Sequence, residues 1–319
     1  MDVIIVVHTE FGYVSNLEVI PDKGATKGVS QGVLNLIKIA DKHDTKITFA
    51  VMPEVVKYIP EGIEHEIGLH IHPGWEEFRK GDITFEVGDN YLREHCDQSS
   101  TSTVLRDFPY LEQREMIKTG ADYLEDQLGR RPSTFVAGRW SIDNNTVKAL
   151  VNAGMERDCS APAHSKPCHF DWSKLPRICM PYHPSEYDYQ EKGSIPLLIV
   201  PISQMFLAGN VNPEVVPIIG ISWLKACFTE YYKQGMPLFH ICLHSPCMTD
   251  PYFLAVMNKF LAFISKHKNV NFKFASEVHE YGPVKPFTMM SPYILGMNRQ
   301  VLRQGVVGAV RSRLLRRQL

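Results

Sequence analysis

What this chain lacks narrows its chemistry first. It has no excess of either charge, with 34 Lys and Arg against 35 Asp and Glu, so its global charge gives no argument for nucleic acid. It has no run approaching the ~18 consecutive apolar residues of a membrane-spanning helix. Its seven cysteines (Cys96, Cys159, Cys168, Cys179, Cys227, Cys242 and Cys247) are odd in number and include no C-x-x-C pair. That favours reduced thiols over a disulfide framework. There is no internal repeat, low-complexity tract or interdomain linker, and no basic n-region or cleavage site precedes the first strand. A cytoplasmic protein is therefore expected. One absence is local. No Asp or Glu follows Glu280, whereas Lys285, Arg299, Arg303, Arg311, Arg313, Arg316 and Arg317 do.

What is present is an alternation of short apolar runs with amphipathic stretches. The 319 residues can bury a large core, as one barrel or as two domains. Strands are expected at Val3–His8, Lys46–Val51, Glu66–His72, Thr134–Ala137, Met155–Cys159, Pro196–Ile202, Pro237–Leu243 and Asn271–Ala275. Helical periodicity marks Gln31–Lys42, where Val33, Leu34, Ile37 and Ala40/Asp41 share a face. It also marks Tyr110–Leu128, Asn144–Ala153, Pro213–Lys233 and Tyr252–Lys266. Gly129 reads as a helix stop, and Asp250-Pro251 as an N-cap and first helical residue. Such alternation implies a parallel sheet with helices outside it. Two polar, turn-rich stretches, 79–108 and 161–194, interrupt it and are expected to rim the site. The reading is one (β/α) barrel over residues 1–282, with an extension over 283–319.

Several strands end in polar side chains, where parallel α/β proteins gather their chemistry. His8-Thr9-Glu10 closes the first and His70-Ile71-His72 the third. Residues i and i+2 of a strand share a face, so Glu10, His70 and His72 can surround one divalent cation and leave a position open. Leu243-His244-Ser245-Pro246 and Gly138-Arg139-Trp140 end two further strands and can face the same mouth. A buried cation such as Arg139 needs an acidic partner, and Asp158, on the next strand, is the candidate.

In this order the motifs resemble the polysaccharide deacetylase (NodB-homology, carbohydrate esterase family 4) superfamily, over roughly residues 2–281. Glu66-Ile67-Gly68-Leu69-His70 looks like the motif that supplies metal histidines. Ala137-Gly138-Arg139-Trp140-Ser141 looks like the arginine motif, and Leu243-His244-Ser245-Pro246 like the last, general-acid motif. The closest likeness is to the atypical branch associated with O-antigen and other surface-glycan clusters, which carries H-x-H-P and F-H-S variants. Tyr182-His183-Pro184 through Leu197–Ser203 also looks like that branch. Three departures stand out: His8-Thr9-Glu10 has no aspartate where the family has two, Gly74 stands where the usual second histidine would, and Trp140 replaces a proline.

The resemblance implies a distorted (β/α)7–8 TIM-like barrel and a hydrolase that removes an acetyl or formyl group from a sugar nitrogen. It implies one divalent ion, zinc being expected, on Glu10, His70 and His72. It makes His8 the general base in place of the aspartate and His244 the general acid. Arg139, held by Asp158, would orient the base or hold an anionic group, and Trp75 and Trp140 are candidate walls for a sugar ring. Two alternatives stay open. One is an amidohydrolase-type barrel acting on a small amide, which also uses H-x-H but at its first strand. The other is an inactive glycan-binding barrel. Residues 293–319 read as a basic amphipathic helix, with Leu302, Val306, Val310 and Leu314 as its stripe. Such a segment suits either the inner face of an anionic membrane, as an anchor for an enzyme acting on a nucleotide- or lipid-linked sugar, or packing against the barrel or a subunit partner.

Overall fold

The computed structural model describes residues 1–205 and 209–285. The expected basic helix over 293–319, and nearly all of the 283–319 extension, lie outside the described residues. An eight-stranded sheet forms the centre. Its strands are β1 Asp2–Thr9, β2 Thr48–Val51, β3 Glu66–Ile71, β4 Thr134–Ala137, β5 Arg157–Asp158, β6 Leu198–Ile199, β7 Leu238–His244 and β8 Asn271–Lys273. They run β6-β5-β4-β3-β2-β1-β7, and every pairing is parallel. β1 is shared lengthwise: β2 pairs with its C-terminal half, from Val6 to Thr9, and β8 with Asp2 to Ile4 at its start.

The sheet curls so that its two faces bury different cores. Ile4, Val6, Ala50, Val136, Cys159, Leu198, Val200 and Leu238 fill the inside, with Ala275 and Val278. The alternate residues Val3, Ile5, Val7, Phe49, Val51, Leu69, Ile71, Phe135, Phe239 and Ile241 join the larger core under the helices. Both faces are apolar, so the strands read as continuous β-branched runs rather than alternating ones. The inner face stays apolar only part of the way along. In β1 it continues from Ile4 and Val6 to His8, and in β7 from Leu238 through His240 and Cys242 to His244. Both inward series end in an imidazole at the C-terminal mouth.

Among the described residues, five helices of nine or more residues cover the outside: α1 Lys27–His43, α2 Tyr110–Leu128, α3 Asn144–Asn152, α4 Ile221–Lys233 and α5 Pro251–Ile264. α2 ends at Gly129 in the left-handed region, and the Asp250 side chain caps α5 by accepting the Tyr252 N–H. In α1 the buried face is Gly28, Val29, Gly32, Val33, Leu36 and Ala40. The stripe predicted from Val33, Leu34 and Ile37 is thus rotated, with Leu34 43% exposed. The glycines explain this. A Cβ on Gly32 would stand 2.2 Å from the Ser245 carbonyl oxygen, so this helix packs its smallest residues against the turn that follows β7. The expected helix over Pro213–Lys233 is broken. A short turn over Pro213–Val215 and a single helical turn to Ile219 precede Gly220, whose φ of 79° admits a new start at Ile221.

Candidate metal centre and cleft

Glu10, His70 and His72 come together, each buried, with ligand atoms all within 4.8 Å of one another. Glu10 follows the end of β1, where its backbone N–H donates to Ser245 Oγ at 3.3 Å. Its Oε2 lies 3.4 Å from His72 Nε2 and 3.7 Å from His70 Nε2. The His70 ring is aimed from behind, with Nδ1 2.9 Å from the Val136 carbonyl oxygen in β4. This is the arrangement that fixes a ligating imidazole. His72 needs Gly138 beside it, since a Cβ there would come within 2.4 Å of the ring. His70 Nε2, His72 Nδ1 and His8 Nε2 are buried with no hydrogen-bond partner. Buried polar nitrogens without partners are costly. A borderline-soft divalent cation fits this carboxylate–imidazole set.

Two further imidazoles flank the triad. His8 and His244 are direct register partners, 4.7 Å apart between ring centroids, and His8 lies 4.9 Å from His70. Their surroundings differ. Burial, reinforced by the neighbouring imidazoles His244 and His70, holds His8 well below the ordinary histidine value and hence neutral. Burial also opposes charge on His244, but Glu214 overrules it and lifts the group to about 9. The His244 N–H donates to Glu214 Oε1 at 2.6 Å, and Nδ1 reaches the same carboxylate at 3.0 and 3.1 Å. His244 Nε2 is thereby turned towards Glu10 Oε1, 3.9 Å away. Glu214 itself is set by the turn at Asn212, whose side chain accepts the Glu214 N–H at 2.8 Å. For Glu10, burial raises the carboxyl, but His70, His72 and His244 outweigh it and keep the group ionised.

A cleft of about 300 Å³ opens on this cluster, lined by His8, Glu10, His72, Arg139, Trp140 and His244 together with Pro21, Phe78, Phe85 and Val87. The aromatic pair comes from the hairpin Trp75–Lys80/Ile83–Gly88, where Phe78 stands opposite Phe85. A second hairpin, Tyr13–Ser15/Glu18–Ile20, is tied to the first by a Lys80–Glu18 ion pair of 2.7 Å.

Two expectations about side chains need correction. Trp75 does not line the cleft. It is three residues from Phe78 on one strand, so alternation turns it to the other face, where its indole N–H donates to Glu86 at 3.2 Å. Asp158 does not hold Arg139. Its neighbour Cys159 faces the barrel interior, which sends Asp158 outward, where one oxygen accepts from Ser160 and the other has no partner. Arg139 instead donates from Nε to Thr103 Oγ1 at 3.1 Å and places Nη1 3.3 Å from His169 Nε2. His8, Glu10, His72, Arg139, Trp140 and His244 do share the cleft, and His70 is buried in the triad with Glu10 and His72. Sequence reasoning missed Glu214, Phe78, Phe85, Thr103 and His169. Glu214 looked like any acidic residue in a first helical turn, and only the chain reversal before β7 brings it to His244.

No protein-family model and no curated protein sequence matches the chain. Solved structures do. A Pseudomonas aeruginosa PAO1 protein described as a polysaccharide deacetylase aligns with a TM-score of 0.55 and 17% identity, covering 86% of this chain and 88% of that one. A Mycobacterium smegmatis protein described in the same way gives 0.51 and 16% over 88% and 94%. A Puue allantoinase gives 0.54 and 17% over 86% and 87%. At these identities what is shared is architecture, and the chain has the distorted (β/α) barrel of the polysaccharide deacetylase type.

Proposed function

We propose that this protein is a metal-dependent hydrolase that removes an N-acyl group, acetyl or formyl, from a sugar during glycan or glycolipid assembly. One observation carries the reading: a buried Glu10–His70–His72 triad flanked by two imidazoles, of which only His244 has a carboxylate partner. Glu10, His70 and His72 would hold the cation, with zinc expected from the donor set. Such an ion supplies amide-carbonyl polarisation and acidifies a water towards a pKa of ~7. His8 Nε2, buried and unpartnered, takes a proton from the attacking water. His244, oriented through Nδ1 by Glu214, holds a proton on Nε2 and gives it to the departing sugar nitrogen. A neutral base and a charged acid a few ångströms apart are the division of labour that hydrolysis needs. Trp140, Phe78 and Phe85 form an apolar wall for the sugar ring.

The position of the histidine pair at β3 rather than β1 supports this reading over an amidohydrolase-type site. The inactive-barrel reading makes the opposite prediction about turnover. The test is elemental analysis of the purified chain, followed by a screen of acylated sugar nucleotides and lipid-linked sugars with acetate or formate release read by mass. One equivalent of metal with release from a member of the panel supports the proposal, and a metal-loaded chain that releases nothing refutes it. Substrate on a lipid carrier is the natural partner of the basic segment 293–319. Co-flotation of the full chain with anionic liposomes, lost when the chain ends at Gly282, tests that part and the placement at a cytoplasmic membrane face.

A further inference from the structure

We infer that Arg139 determines specificity, selecting a sugar that carries an anionic group, carboxylate or phosphate, beside the acylated ring. This rests on the deacetylase reading above. Arg139 lines the cleft, with its side chain 20% exposed and the guanidinium 4.4 Å above the Phe78 ring. The groups within hydrogen-bond range of it are uncharged. Thr103 accepts from Nε, and His169, which burial and Arg139 itself keep neutral, faces Nη1. One carboxylate, Glu76, forms an ion pair with Nη2 at 3.8 Å, too long for a hydrogen bond, and its Oε2 already accepts from the Thr103 hydroxyl at 2.7 Å. The guanidinium is thus positioned without a bidentate partner, while Asp158 faces away and Glu10 is committed to the imidazoles.

The backbone supports the same conclusion. Arg139 and Trp140 have φ of 53° and 52°, two successive side-chain-bearing residues in the left-handed region. That conformation costs energy and persists only where the surroundings impose it. Here the buried Trp172 indole donates to the Trp140 carbonyl at 3.0 Å. The effect is to aim a cation and an aromatic ring into one cleft. The planar fork of arginine matches carboxylate or phosphate with two parallel hydrogen bonds, and the apolar walls Phe78, Phe85, Val87 and Trp140 weaken solvent screening of that pair.

The test uses the full chain loaded with zinc and three matched ligands: the methyl glycoside of N-acetylglucosamine, its 6-carboxylate, and N-acetylglucosamine 1-phosphate. The last two separate a ring carboxylate from a carrier phosphate. Binding is read by calorimetry and turnover by acetate release. At least one anionic ligand should bind wild type roughly ten-fold or more tightly than the neutral glycoside. Arg139→Gln should erase that advantage, through KM rather than kcat, and Arg139→Lys should restore part of it. Equal binding of all three ligands by wild type overturns the assignment, as does a preference that survives in Arg139→Gln or is absent from a folded Arg139→Lys. If no acetate is released but the calorimetric preference follows Arg139, the assignment stands and the hydrolase reading falls.

Discussion

Glu10 and Asp158 are both buried carboxylates of one sheet, with three strands between them, yet they are held in opposite states. At the mouth of β1, burial works against the charge of Glu10, but His70, His72 and His244 more than compensate, and the group stays ionised. In β5, burial acts on Asp158 with only Ser160 to oppose it, and the carboxyl is pushed up to about 7. Burial alone therefore does not set the charge of a carboxylate. The groups that face it do, and which groups face it follows from strand parity. Glu10 continues the inward series Ile4, Val6, His8, whereas Asp158 is one residue out of step with the inward Cys159.

The strongest way to break this comparison is to remove the charge that the imidazoles surround. Glu10→Ala, like His70→Ala, is expected to weaken metal affinity by more than ~100-fold, the upper range for losing even an outer-shell partner. Competition against a chelator measures it, and a full equivalent retained by either variant would show that the cation sits elsewhere. Next comes the carboxylate behind His244. Glu214→Gln should keep the metal but lose ~10²–10⁴-fold in turnover, the usual weight of a positioned general acid. An unchanged kcat would remove His244 from that role.

The third prediction concerns Asp158 and stability. The unfolded chain releases this proton near pH ~4, while the folded chain releases it at about 7. The folded state therefore holds more protons between those values, and stability is lost as pH rises through that window, by up to ~1.4 kcal/mol per pH unit. Asp158→Asn removes the slope. Its stability relative to wild type should grow between pH 4 and 7 and level off above, as read by urea unfolding at several pH values. A difference independent of pH would mean that Asp158 does not titrate there. The smallest effect sharpens the same parity rule within one hairpin. Phe78→Ala should raise KM by roughly ten-fold, the weight of one buried aromatic contact, while Trp75→Ala, on the opposite face, leaves KM unchanged.

Local pattern carried far where its signals were dense. The strand Thr134–Ala137 and the helix Tyr110–Leu128, which ends at Gly129, occur at the residues expected. Their runs are unbroken and their stops chemically marked. The segments Met155–Cys159 and Pro196–Ile202 shrink to the two-residue strands β5 and β6. Extended conformation is written in local sequence, but ladder pairing depends on a neighbour, and here neighbours meet only briefly. Hydrophobicity alone ranks Leu34 above Gly32 and so misplaces the buried face of α1, whereas close helix packing ranks them in reverse.

The sequence by itself determined the alternation of strands and helices, the polar strand ends, and the i, i+2 pairing of His8 with Glu10 and of His70 with His72, because each follows from local periodicity. Only the tertiary structure decided which distant groups those side chains meet. Glu214 behind His244, Thr103 and His169 around Arg139, Phe78 in place of Trp75, and Asp158 turned away all depend on loops and strand parities that converge over long stretches of chain. No local pattern encodes such convergence, because it is set by how the curled sheet brings its separate strand ends to one mouth.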